Sequence, residues 1–233
     1  MLASPLMVTW RNRVRRNPVA RWVYQRWMAS HDYEDRFGKR LLAAVNDTAV
    51  VWDIGANVGL YTSQFLARGS RQVVCFEPAP EAVRALETKF AGEPRVRICA
   101  VALAAADGTA ALVAAGAAPT NRLLPPAPAT PAAPAYATVD VPVRRGDALA
   151  AELLLPTPNV VKIDVEGYEW EVLQGLGGLL ARPELRAVFV EVHFSILHER
   201  GLDRAPPQIV ALLQSAGFAV QWLDLSHLEA ARA

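Results

Sequence analysis

The chain has 233 residues, with 24 basic and 23 acidic side chains, a formal net charge of +1, 52% hydrophobic and 20% charged residues. That length suits one generous domain with a sizeable core, and the balanced charge excludes an electrostatic nucleic-acid binder and a charged disordered tail. Lysine occurs only at positions 39, 89 and 162 among many arginines, so each lysine is a less accidental choice than usual.

Residues 1–47 read as an extension in which Trp10, Trp22, Tyr24, Trp27, Tyr33 and Phe37 interleave with Arg11, Arg13, Arg15, Arg16, Arg21 and Arg26. Leu41, Leu42 and Val45 continue at helical spacing, so helix is expected here. It serves either as aromatic packing on the main domain or as a lid, partner or membrane-surface helix. The arginines follow a short apolar stretch with no apolar run after Arg16, which does not fit a signal peptide.

From Thr48 to Ala233 the pattern becomes apolar run, turn, helix, repeated. Strands are expected at Val50 to Ile54, Val73 to Phe76, Val96 to Ala100, Val160 to Val165 and Ala187 to Val192, with a further one at Ala219 to Leu223. Helices are expected at Tyr61 to Ala67, Pro80 to Phe90, Glu169 to Leu180 and Pro207 to Ala216, with Gly69 and Gly217 as stops. Such alternation predicts an α/β fold with a mostly parallel sheet covered on both faces.

The first strand runs into Asp53-Ile-Gly55-Ala-Asn57-Val-Gly59, a turn whose glycines allow close backbone approach and whose following helix offers unpaired N–H groups. A dinucleotide fingerprint would need glycines at Asn57 and Leu60, and neither is present. Asp53 would repel a pyrophosphate but suit a ligand ammonium. The second strand ends in Glu77, placed to accept both hydroxyls of a ribose. Cys75 and Cys99 lie in apolar runs and read as buried thiols in a reducing, cytoplasmic compartment, not a disulfide or metal cage.

Ile98 to Ala118 is long and apolar, yet its residues are mostly alanine, and Asp107 would sit near its centre at a cost of about 2.5 to 3.5 kcal/mol in a bilayer. A two-residue hairpin at Asp107-Gly108 is the expectation instead. Residues 114–135 are too rich in Ala and Pro for a helix or central strand and read as an exposed loop, either a substrate cover or a tolerated insertion. It lies between hairpin strands expected at Thr109 to Val113 and Val139 to Val143.

Strand alternation over Val160 to Glu166 places Lys162, Asp164 and Glu166 on one side. A doubly covered strand has no use for three charges on one face, so a cleft at its carboxyl end is expected. Glu191 and His193 end the next strand on one side and would converge with them. One His among carboxylates is a poor set for a first-row metal, and no metal is expected. His31, His198 and His227 are expected at the surface.

Asp53-Ile-Gly-Ala-Asn-Val-Gly-Leu-Tyr-Thr, Phe76-Glu-Pro, Val161-Lys-Ile-Asp-Val-Glu-Gly-Tyr-Glu-Trp and Val190-Glu-Val-His together resemble the FkbM-type S-adenosylmethionine-dependent methyltransferases, over Thr48 to Asp224. The resemblance implies a three-layer, Rossmann-like class I methyltransferase fold. It places Asp53, Gly55, Asn57 and Gly59 around the methionine part of S-adenosylmethionine and Glu77 on its ribose, and implies O-methylation of a natural product or sugar. The polar residue such proteins often carry near the adenine is missing from Ala100 to Ala106, which leaves backbone groups or Asp107. Only one strand is evident after the last helix, so the seventh, antiparallel strand common in this fold is expected to be absent. For the chemistry, His193 or Asp164 would accept the hydroxyl proton while Lys162 and Glu166 fix the geometry. The rivals are a nicotinamide-dependent oxidoreductase, disfavoured by the missing glycines, and a non-catalytic nucleoside-binding module, which would not need the Lys162 to Glu166 charges.

Overall fold

The computed structural model describes residues 33–113, 123 and 138–232, with backbone alone for 33–35. His31, the stretch before Tyr33 and the Ala/Pro loop apart from Leu123 lie outside the described residues.

Helix α1 (Tyr33–Ala43) precedes strand β1 (Val50–Ile54), α2 (Leu60–Ala67), β2 (Gln72–Phe76), α3 (Pro80–Lys89) and β3 (Val96–Cys99). Then come β4 (Ala102–Leu103), β5 (Gly108–Val113), β6 (Thr138–Arg144), α4 (Gly146–Glu152), β7 (Val160–Ile163), α5 (Glu169–Gly175) and α6 (Gly177–Leu180). The chain closes with β8 (Ala187–Glu191), α7 (Phe194–Glu199), α8 (Ala205–Ser215), β9 (Ala219–Trp222) and β10 (His227–Ala231). Seven strands form one sheet in the order β3-β2-β1-β7-β8-β10-β9. The strands from β3 to β8 run parallel, and β10 runs antiparallel to both β8 and β9.

The β-branched runs become central strands because both faces are covered. Val50, Val51, Trp52 and Ile54 are all buried, as are Val160, Val161 and Ile163, which matches the largely apolar strands of a parallel sheet, with Asp53 and Lys162 as buried charges among them. Pro80 opens α3, and Gly69 and Gly217 follow α2 and α8 at positive φ (86° and 91°) as helix stops. Helix α1 is seated on the sheet through Phe37, Leu41 and Val45. The Phe37 ring meets Phe189 edge-on at 5.9 Å, and Arg40 forms a forked pair with Glu229 of β10.

Four expectations are corrected. The antiparallel seventh strand is present as β10, whose mixed sequence His-Leu-Glu-Ala-Ala hides its buried position between β8 and β9. No hairpin forms at Asp107-Gly108: β5 pairs antiparallel with β6, and β4 joins the other edge of β6 in a separate three-stranded sheet. The strand after Val160 stops at Ile163, because Asp164 donates its N–H to Ile54 O and the chain then turns through positive φ at Glu166 (48°) and Gly167 (93°). The single helix expected from Glu169 to Leu180 is two short ones, meeting at Leu176.

Candidate active site

The strand order reverses between β1 and β7, so the carboxyl ends of these neighbours open a crevice, the usual ligand position in open α/β sheets. The open cleft there holds about 980 Å³ of empty space counting its mouth. Its floor is Ile54, Gly55, Asn57, Phe76, Glu77 and Pro78; Asp164, Glu166, Tyr168, Glu191 and His193 form one wall; Leu112 and Leu123 of the small-sheet side form another.

Gly55 is required by contact as well as conformation. Its φ is +78°, and a Cβ there would lie 1.8 Å from the carbonyl oxygen of Asp164, so the ends of β1 and β7 touch only because no side chain intervenes. Asn57 also has positive φ (47°), and its buried Oδ1 has no hydrogen-bond partner. Glu77 accepts the Asn57 N–H at 2.8 Å on one oxygen and the Ala79 N–H at 2.9 Å on the other. Burial nonetheless pushes its carboxyl above the usual range, against those two N–H groups. Each oxygen keeps a further lone pair for a ligand hydroxyl.

Behind this floor lies a buried ion cluster. Lys162 Nζ donates to Gly55 O at 3.0 Å and stands 3.3 Å from Asp53 Oδ1 and 3.4 Å from Asp164 Oδ2. Burial works to strip its proton, but the pull of Asp53 and Asp164 together outweighs it and holds the ammonium above its ordinary pKa. Asp53 is wholly buried and accepts the Thr62 hydroxyl at 2.7 Å, so it faces Lys162 rather than a ligand ammonium in the cleft. Gly59 does not line the cleft either. It begins α2 at φ +73°, where a Cβ would strike the Phe90 ring at 2.5 Å. Asp107 is exposed and tied to Arg144 and to the Arg145 N–H, outside the cleft. Of the two expected adenine contacts, Asp107 is therefore not among the residues that line the cleft.

On the wall, His193 Nδ1 is hydrogen-bonded to Glu169 Oε1 at 2.6 Å, while Nε2 faces Glu166 at 3.5 Å, Asp164 at 3.8 Å and Glu191 at 3.9 Å. Burial lowers the imidazole pKa, but the Glu169 bond and charge, with Glu166 and Asp164, win and push it up to about 10. His193 is thus an imidazolium at neutral pH. Burial raises the Glu166 carboxyl. The Glu191 carboxyl is held low, against its burial, by His227 and His193. Ligand atoms of Asp164, Glu191 and His193 lie within 4.8 Å of one another, a spacing a cation could bridge.

His227 is not at the surface. It is buried under Phe37 (4.3 Å between rings), 2.9 Å from Asp224 and 3.3 Å from Glu191. His198 is exposed beside Asp203. Glu169, fully buried as the partner of His193, and Tyr168, whose enclosed hydroxyl has no partner, were not singled out by the sequence. A carboxylate in the first turn after a charged strand end was the available signal for Glu169. Cys75 and Cys99 are free and buried.

The sheet order with its antiparallel insertion, and a cleft built on a glycine turn and two strand-end acids, define a class I methyltransferase. The family model described as the methyltransferase FkbM domain matches residues 53–220, and the chain belongs to that family. It is 28% identical over 190 residues to the hexuronic acid methyltransferase AglP of Haloferax volcanii, covering 81% of this chain and 71% of that one. The crystal structure of methyltransferase FkbM from Methylobacillus flagellatus KT superposes with a TM-score of 0.55 at 13% identity, covering 80% of this chain and 44% of that one, so this chain spans under half of it. A Streptococcus mutans protein assigned as a methyltransferase and solved in complex with SAH superposes at 0.51 with 10% identity, covering 85% of this chain and 97% of that one. S-adenosylmethionine is the cofactor of this class. The residues present fit it, since Asn57 Oδ1 is an orphaned acceptor on the cleft floor and Glu77 has lone pairs to spare. Among the described residues no helix is long and apolar enough to cross a membrane.

Proposed function

We propose that the chain methylates a hydroxyl group of a small sugar-like acceptor. The observation that carries this reading is the single cleft in which Gly55, Asn57 and Glu77 stand opposite the Asp164, Glu166 and His193 wall. The cofactor, when bound, supplies a methyl carbon on a sulfonium sulfur that departs with the bonding pair, so an acceptor oxygen gaining methyl must shed its proton. Gly55, Asn57 and Glu77 hold the cofactor, with Glu77 on its ribose, while Asp53 and Gly59 shape that floor from behind. Asp164 takes the acceptor proton, fixed between Lys162 at 3.4 Å and His193 at 3.8 Å. His193, already protonated, acts as a donor that orients the acceptor rather than as the base, and Glu166 flanks it. Positioning of this kind is worth up to about 7 to 11 kcal/mol, and a placed base adds about a hundred- to ten-thousand-fold. The sugar-methylating relative supports the acceptor class, and the buried free thiols support a reducing, cytoplasmic setting. Incubation with isotopically labelled S-adenosylmethionine and a panel of glycosides, read by mass spectrometry, tests it. One transferred methyl group on oxygen is expected, reduced at least a hundredfold in Asp164→Asn; labelling of nitrogen or carbon, or full turnover by Asp164→Asn, refutes it.

A further inference from the structure

The charge of the cleft wall narrows the acceptor further, on the reading just given. Among the described lining residues, Glu77, Asp164, Glu166 and Glu191 are acids and His193 is the sole basic group. Three of the acids have their own compensation: Glu77 from two backbone N–H groups, Asp164 from Lys162 at 3.4 Å, and Glu191 from His227 at 3.3 Å. Glu166 has none of its own. Its nearest cation is His193 Nε2 at 3.5 Å, which it shares with Asp164 and Glu191 while Glu169 holds the other ring nitrogen at 2.6 Å. The Glu166 and Glu191 side chains remain 27% and 34% exposed to the cleft, and a positive φ at Glu166 fixes its turn.

An acceptor carboxylate would need a cation to receive it, and the His193 imidazolium on the wall is already divided among Asp164, Glu166, Glu169 and Glu191. The described candidates are already engaged. Lys162 is sealed behind Gly55 by Asp53 and Asp164. Arg144 pairs with Asp107 and Glu152, and Arg145 with Asp147. Arg200 is spent on the Gly167 carbonyl, Glu171 and the face of Tyr168. None of these basic side chains lines the cleft. The cofactor carries a sulfonium, an ammonium and one carboxylate, a net single positive charge that leaves the acids in excess.

We propose that the acceptor is an amine-bearing polyol, of the amino-sugar or aminocyclitol class, whose ammonium sits between Glu166 and Glu191 while a neighbouring hydroxyl meets Asp164. The ammonium then gives Glu166 the cation it lacks and adds to what Glu191 receives from His227, and a uronate is repelled by the same pair.

The full chain, saturated with SAH, is titrated by calorimetry with the methyl glycosides of glucosamine, glucose and glucuronic acid, and turnover of each is followed with labelled S-adenosylmethionine. The amine is expected to bind at least tenfold more tightly than the neutral sugar, with the uronate weakest. Glu166→Gln and Glu191→Gln are expected to bring the amine-to-neutral ratio towards one, with folding checked by circular dichroism. Equal or tighter binding of the uronate overturns the proposal while leaving sugar methylation standing. Activity abolished by chelator and restored by magnesium or manganese also overturns it, because a metal ion would then neutralise the carboxylates. Neither binding nor turnover of any of the three refutes the sugar reading and this inference with it.

Discussion

Replacing Lys162 with methionine, of similar length and no charge, isolates what the buried ion cluster does. Lys162 is 3% exposed and Asp53 is fully buried; the ammonium lies 3.3 Å from Asp53, 3.4 Å from Asp164 and 3.0 Å from the Gly55 carbonyl. Removing it leaves the Asp53 carboxylate in a dry interior with the Thr62 hydroxyl as its remaining polar contact in the cluster. Breaking a buried pair from one side costs about 3 to 5 kcal/mol, since the partner keeps its desolvation penalty without compensation. For a chain of this size each kcal/mol moves Tm by about 2 to 4 °C, so Lys162→Met is expected to melt roughly 6 to 20 °C below the parent. Lys162→Met with Asp53→Asn should recover much of that loss, because the orphaned charge is removed too. Turnover should stay low in both, since Asp164 loses its anchor. Calorimetric melting of the parent, the two single variants and the double variant gives the coupling directly. A loss under about 1 kcal/mol for Lys162→Met, or a double variant no better than the sum of its parts, would refute the reasoning.

The folded-state pKa values of His193 and His227, pushed up to about 10 and about 9, lie above the unfolded value near 6.5, so their contribution is fully present below pH 6.5 and is lost as pH rises through 9 to 10. Urea midpoints should therefore fall across that window, more shallowly in His193→Gln and His227→Gln; a midpoint that rises with pH would contradict the ion pairs to Glu169, Glu191 and Asp224. Glu77→Ala should weaken cofactor binding at least tenfold by calorimetry, whereas Asp107→Ala, outside the cleft, should leave it within about twofold; the reverse order would move the cofactor elsewhere. Burial, with Asp53 nearby, pushes the Cys75 thiol up to about 12. It should resist a disulfide reagent until denaturant is added, and rapid labelling of the native protein would show the β1–β2 core to be open.

How far the sequence carries can be followed residue by residue. Val50 to Ile54 and Val160 to Ile163 announce themselves as doubly covered strands because burial on both faces demands largely apolar runs, a strictly local signal that Asp53 and Lys162 interrupt. Gly55, Asn57 and Glu77 are legible for the same reason: a tight turn and a strand-end acid are properties of short segments. The strand β10 is not, because His227 and Glu229 look like surface residues until Asp224, Glu191 and Arg40 arrive from elsewhere to neutralise them. Asp53 illustrates the opposite error. Its place at the end of a strand suggests a ligand-facing acid, but the register that sets it beside Lys162 turns it into the floor of an ion cluster.

The sequence by itself therefore determined the α/β alternation, the glycine turn after β1 and the family, all of which are written in contiguous patterns of apolarity, glycine and charge. Only the tertiary structure decided which charges face the cleft. It paired Asp53 with Lys162, locked His193 onto Glu169, withdrew Asp107 to Arg144 and left Glu166 half-compensated. Electrostatic roles depend on distance and desolvation between groups far apart in the chain, and those quantities come into being only when the strands are brought side by side.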